Sequence, residues 1–424
     1  MAERTLRATG SGTGGPEPRM LPVALAARWR WLPWWARVLL VYALSRLVTT
    51  AMMLALASVQ GQNPWTGPHP PYGAFANIWD GRWYEIIAYS GYPTEIPLAD
   101  GVHVAENAWA FMPAYPFLVR ALMLVSGLSW EGVAIFVSLV FGLGTALLFH
   151  RLLAPRLGSS TALFAVALLC FAPLSPMFQV AYAESMGLFL LALALLLLVR
   201  RHYAWLVPVV FVMTLTRPTG LAFALTLALH TLVRYLRRAH EPFPVKQQLG
   251  AASVAVFSAL MGVAWPALAW AVTGVPNAYT DTELAWRMPY IGYVDLVPFT
   301  AWFQGAHWWL GFVGAKEPLQ TIAGVIGVLV LIAAFFAALF LPAVRRLGVD
   351  LRIWTASYAL YLLAVFFPQS STFRLLMPFF PLLGALAQPR SRLYRAGLIL
   401  IGILLQWGWL LIAWGVDGYD WSPP

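Results

Sequence analysis

The chain has 424 residues, 60% of them hydrophobic and only 10% charged, with a mean hydropathy of +0.71. That composition excludes a soluble globular protein. The formal net charge of +10 is distributed as membrane topology requires, not as a nucleic-acid-binding patch, and the single cysteine, Cys170, can form no internal disulfide.

Residues 1–20 are rich in Gly, Pro and Thr and read as a disordered tail, within a basic cytoplasmic segment 1–35. The apolar run 36–58 is too long for a signal-peptide core and is followed by no cleavage site, so it is taken as an uncleaved first span. Further apolar runs follow at 130–150, 159–176, 178–199, 203–216, 218–233, 250–273, 319–342, 353–367, 373–388 and 396–416. They are continuous and rich in Leu, Ala and Val, which suits helices and not the alternation of a barrel strand. The expectation is an all-α polytopic membrane domain over 36–416 with about eleven spans, followed by a short outer tail 417–424. With a cytoplasmic N-terminus, 20 of the 27 basic residues fall inside and 13 of the 17 acids outside, the segregation that the positive-inside rule predicts. Segment 109–127 carries two prolines and Arg120 and is assigned to an interfacial helix. The whole of 59–129 is therefore an outer loop with interfacial helices, and 274–318 is a second outer loop.

Polar motifs gather at the outer ends of these spans. Asn77-Ile78-Trp79-Asp80-Gly81-Arg82-Trp83-Tyr84-Glu85 places an acid among aromatic residues. If it is helical, Asp80 and Tyr84 share a face while Glu85 points elsewhere. Asp80 is either a functional carboxylate or the cap of that helix. Trp79 and Trp83 suit interfacial anchoring, and Trp79 is also a substrate-binding candidate. Arg217 and Arg374, each next to a proline-containing turn, offer guanidinium forks for a lipid-linked phosphate or snorkel to headgroups. Glu184 is a packing contact or an acceptor for a substrate hydroxyl. Arg46, near the middle of the first span, is either functional or paired with an acid such as Glu184. Asp281 and Glu283 are placed in a wet loop as solvated acids. The histidines show no ligand spacing, and there is no P-loop or GxGxxG, so neither a metal nor a nucleotide cofactor is expected.

Taken together these motifs resemble the PIG-V type of mannosyltransferases. The resemblance runs through Trp79-Asp80-Gly81, Tyr84, Ala88 and Gly91-Tyr92, then Phe111 to Pro116, Tyr182-Ala183-Glu184-Ser185, Arg217-Pro218-Thr219-Gly220, and Phe373-Arg374 before Pro378 and Pro381. It implies a GT-C-like bundle, a glycosyltransferase using a polyprenyl-phosphate sugar on the extracytoplasmic face, and a catalytic acid in the first outer loop at Asp80. The motif has one acid, not an Asp-X-Asp pair. The 25 Arg against 2 Lys and the lack of an N-glycosylation sequon point to the bacterial branch and its plasma membrane.

On that footing an inverting transfer of a mannosyl residue to a lipid or glycan acceptor needs one base near the attacking hydroxyl, and Asp80 is that base. Arg374, and then Arg217, stabilise the departing phosphate, while Tyr84 and Glu184 orient hydroxyls. The alternatives are a transporter or flippase of a lipid-linked sugar, which would place polar groups near the midplane, and a noncatalytic membrane partner.

Overall fold

A computed structural model describes residues 31–415 of the chain. The expected disordered tail 1–20 and outer tail 417–424, with most of the basic segment 1–35, lie outside the described residues. Regular structure among the described residues is helical, apart from an isolated antiparallel bridge between Leu98 and Val104. The main helices are α1 (Trp34–Val59), α2 (Asp80–Ser90), α3 (Ala114–Ser126), α4 (Trp130–Leu157), α5 (Ser159–Cys170), α6 (Glu184–Val199) and α7 (Tyr203–Thr214). They continue as α8 (Gly220–Leu236), α9 (Val245–Thr273), α10 (Ala278–Ala285), α11 (Ala301–Phe312), α12 (Leu319–Ala338), α13 (Val349–Val365) and α14 (Arg392–Ala413), joined by shorter turns.

Five of these helices, α1, α4, α9, α12 and α14, are long and apolar enough to cross a membrane. Of the eleven apolar runs taken as spans from hydropathy, five fall on these helices. Five more fall on α5, α6, α7, α8 and α13, which have 12 to 17 residues. At 1.5 Å per residue that is about 18–26 Å, short of a hydrocarbon core of about 30 Å. The eleventh, 373–388, is a series of short helical turns over 372–386 instead of one helix. Prolines lie at the end of α5 and in the 372–386 segment, where each removes an N–H and clashes with the preceding turn. Pro173 and Pro176 follow the end of α5 at Cys170, and Pro378 and Pro381 interrupt the later segment.

Close packing holds the helices that carry the site. A Cβ on Gly220 would lie 2.7 Å from Gly262 Cα, so α8 and α9 cross with their backbones in contact, as small residues allow in membrane bundles. Gly144 on α4 receives the ring of Phe189 on α6. Arg46 of α1 is buried and has no acid partner among the described residues, and Glu184 is paired with Arg217 and Arg374 instead. The Arg46 guanidinium donates to Ser175 O at 2.6 Å, Cys170 O at 3.0 Å and Gln179 Oε1 at 3.1 Å, and it sits over the Tyr42 and Phe178 rings. It thus satisfies carbonyls released where α5 ends. The loop 59–129 is partly helical, as expected, through α2 and α3. With 13 residues α3 is about 20 Å long, shorter than a hydrocarbon core of about 30 Å, and Leu124 and Val125 on it are 78% and 89% exposed.

Candidate active site

The carboxylates and guanidiniums of four distant segments meet at one point. Arg374 Nη1 donates directly to Asp80 Oδ2. Glu184 Oε1 lies 3.4 Å from both Arg374 Nη1 and Arg217 Nη1. Asp80, Glu184, Arg217 and Arg374, all singled out from sequence, therefore form one cluster, with side chains between 5% and 20% exposed.

Local sequence explains how each group is held. Trp79 adopts φ 59°, ψ −125°, a conformation costing a non-glycine residue about 1–3 kcal/mol. The turn is fixed by Trp79 Nε1 donating to Ala413 O at 2.8 Å, and by Asp80 N donating to Tyr182 Oη at 3.1 Å. A Cβ at the next position would meet Asn77 Oδ1 at 2.8 Å, which is why Gly81 follows. Asp80 then opens α2 as its first residue; the capping position belongs to Trp79, and the Asp80 carboxylate is bound by Arg374. Glu85 is tied away from the cluster by Asn77 and Arg82 at 2.7 and 2.9 Å. Glu184 opens α6, where a carboxylate complements the helix N-terminus. One turn on, a Cβ on Gly187 would lie 2.9 Å from Arg217 Cγ, so this glycine lets the arginine stem cross α6. Arg374 lies in a short turn fastened to α13 by Tyr358 Oη donating to Leu375 O at 2.8 Å and by Trp354 Nε1 donating to Pro378 O at 2.9 Å. Its guanidinium also stands 5.5 Å from the centre of the Tyr182 ring.

The cluster lies in the wall of a cavity of about 780 Å³. One part of the wall is apolar, with Leu188 and Leu191 of α6 and Leu221, Met261, Val263 and Pro266 from the α8–α9 crossing. Another part is aromatic and polar, with Trp83, Phe111, Trp286, Glu106, Glu283 and Arg287. Burial pushes the Asp80 carboxyl above its ordinary range, while Arg374 and Arg217 pull it down against a further upward push from Glu184. The Glu283 carboxyl is pushed up to about 6 by burial, and Glu106, at the rim, up to about 7 by partial burial and the Asp80 charge.

Several sequence expectations change here. Glu283 lines the cavity instead of standing in solvent, whereas Asp281 does not line it. Trp79 is 6% exposed and Trp83 faces the cavity, so neither is a free interfacial anchor. Tyr84 is buried against Phe111 and Tyr115 at centroid distances of 5.3 and 5.2 Å, behind the cluster and outside the cavity wall. Tyr182, Glu106, Trp286 and Arg287 were not candidates. Only Tyr182 had a sequence signal, its place in the Tyr182–Ser185 motif.

No protein-family model and none of the curated proteins matches this chain. Among solved structures it is similar to the oligosaccharyltransferase of Archaeoglobus fulgidus in the apo form, at 12% identity and a TM-score of 0.41, covering 88% of this chain and 56% of that one. It is also similar to the oligosaccharyltransferase AglB of the same organism in complex with an inhibitory peptide and a dolichol-phosphate, at 13% identity and a TM-score of 0.40, covering 91% and 56%. The chain thus spans little more than half the length of these proteins.

Proposed function

We propose that the protein is a membrane glycosyltransferase that moves a hexosyl group, mannose on the motif resemblance, from a polyprenyl-phosphate donor to a lipid or glycan acceptor on the extracytoplasmic face. The observation that carries this reading is the convergence of Asp80, Glu184, Arg217 and Arg374 in a cavity whose wall has both an apolar part and an aromatic, polar part. An amphipathic donor suits that division. Its phosphate faces the arginines and its chain follows Leu188, Leu191 and the α8–α9 crossing.

The acceptor hydroxyl oxygen attacks the anomeric carbon, and its proton passes to Asp80. The bond between the anomeric carbon and the phosphate oxygen breaks, its electron pair leaves with the polyprenyl phosphate, and Arg374 and Arg217 stabilise the added charge. Phosphate competes with Asp80 for Arg374, so donor binding releases the carboxylate to act as base. Glu184, bracketed by both arginines, fixes their spacing. Trp79 holds the turn that aims Asp80, and Tyr84 supports α2 from behind. The test is transfer by purified variants from a labelled polyprenyl-phosphate mannose to membrane acceptors. Asp80→Asn is expected to lose about 10²–10⁴-fold in rate, and normal transfer by it would overturn the assignment.

A further inference from the structure

The aromatic part of the cavity contains features that neither a phosphate nor a prenyl chain uses. Trp83 lies one turn after Asp80 on α2. It stacks on Phe111 at 5.7 Å with 16° between the rings, and meets Trp286 edge-on at 6.0 Å. These rings come from three segments, and Asn107 Nδ2 joins their two loops by donating to Thr282 Oγ1 at 2.8 Å. Within the same cavity wall, Trp286 Nε1 and Gln369 Oε1 are buried without a hydrogen-bond partner, one a donor and the other an acceptor. Leaving such atoms unpaired costs about 1–3 kcal/mol each. Glu106 and Glu283 add two carboxyls close enough to feel the Asp80 charge.

Resting on the glycosyltransferase reading, we propose that this aromatic region, built on Trp83, Trp286, Glu106 and Glu283, seats a pyranose ring of the acceptor, so that the acceptor is a glycan. A pyranose has an apolar C–H face that covers an indole ring. It also has a rim of hydroxyls, each both donor and acceptor, which suits an unpaired Trp286 N–H, an unpaired Gln369 carbonyl and carboxyls together. A hydrocarbon chain would satisfy none of these atoms. Leu188 and Leu191 lie one and two turns along α6 from Glu184, and Trp83 one turn along α2 from Asp80. Both parts of the wall thus adjoin the charged cluster, within a helical turn or two of Asp80 and Glu184.

The experiment is calorimetric titration of the purified full-length protein with methyl α-D-mannopyranoside and methyl α-D-glucopyranoside, in the presence of saturating polyprenyl phosphate. At least one hexopyranoside is expected to bind saturably. Trp83→Ala and Trp286→Ala are expected to weaken that binding at least tenfold, Trp83→Phe to keep most of it, and Glu106→Gln to reduce it in a protein that unfolds at the wild-type temperature. Binding to wild type by neither sugar, or equal binding to wild type and both alanine variants, would overturn the proposal. Displacement of the sugar by intact polyprenyl-phosphate mannose would assign the seat to the donor instead and overturn it equally. A serine-containing tetrapeptide that binds with the same tryptophan dependence would replace the glycan with a peptide acceptor. Failure here is separable from failure of the catalytic reading, since absent sugar binding with a transfer-dead Asp80→Asn refutes only the acceptor class.

Discussion

The opposite charges of Asp80 and Arg374 give their replacements opposite effects on donor binding. Two carboxylates and two guanidiniums make the cluster neutral in sum. Asp80→Asn leaves it at +1, and Arg374→Ala leaves it at −1. A phosphate charge about 6 Å away, at an effective dielectric constant of about 20, feels one unit charge by roughly 3 kcal/mol, and less with water in the cavity. A shift of about 1–3 kcal/mol corresponds to roughly 5- to 150-fold in affinity. Asp80→Asn should therefore bind polyprenyl phosphate more tightly, by about tenfold, while transfer falls about 10²–10⁴-fold. Arg374→Ala should lose both affinity and turnover. It should also unfold more easily, because Asp80 and Glu184 are left to share Arg217, and breaking a buried pair by removing one partner costs about 3–5 kcal/mol. Arg374→Lys keeps the charge without the fork and separates folding from phosphate recognition. The measurements are direct binding of polyprenyl phosphate and initial rates with a saturating labelled donor. If Asp80→Asn turned over normally, or bound polyprenyl phosphate more weakly than wild type, the assignment of base and phosphate clamp would fail together.

Four further outcomes are expected. Cysteines placed at Asp100 and His240, both exposed, should differ in intact cells: an impermeant reagent labels position 100 and spares position 240, against a background in which Cys170 is buried; the reverse pattern would invert the topology. Glu283 has a folded-state carboxyl pushed up to about 6, so it binds its proton more tightly folded than unfolded. The stability this gives is fully present below its unfolded value near 4.5 and is lost as pH rises through about 6, by at most about 2 kcal/mol. Thermal unfolding of Glu283→Gln should lack that part of the pH dependence, and an unchanged profile would refute it. Arg46→Ala should cost about 3 kcal/mol or more in unfolding experiments, because the carbonyls of Cys170 and Ser175 lose a charged donor, and Arg46→Lys should recover only part. Transfer should survive EDTA, and its loss with recovery on adding manganese or magnesium would place an ion at the carboxylates.

The charged cluster was legible in the sequence because acids and arginines at span ends are expensive unless something uses them. Asp80, Glu184, Arg217 and Arg374 stood out for that reason, although they are separated by up to 294 residues. What was not legible depends on the path of irregular chain. Glu283 and Trp286 lie on and just after α10, a helix of eight residues whose inward face is set by the Asn107–Thr282 bond and not by any periodic pattern. Arg46 could not be resolved either, since its partners are mainly backbone carbonyls, which every residue carries. The ends of the helices were not legible for another reason: hydropathy averages over Pro173, Pro176, Pro378 and Pro381, where the backbone stops being one continuous helix.

The neutrality of the cluster bears on the order of events in the proposed reaction. Isolated charges at a membrane protein's interior are costly, and a lone carboxylate base in this cavity would draw in a counter-ion or a proton. Pairing Asp80 with Arg374 removes that cost, but an ion-paired carboxylate is a poor base toward water that enters the cavity. When the donor phosphate takes over part of the guanidinium, Asp80 becomes a better proton acceptor at the moment the leaving group is in place. The same exchange that binds the donor thus switches on the base, so that the base is active only when the leaving group is in place. Arg217 and Glu184 keep the remaining charges balanced while this happens, since Glu184 touches both arginines. In the proposed reaction a single acid in the Trp79-Asp80-Gly81 turn is then sufficient, because which anion holds Arg374 governs its basicity.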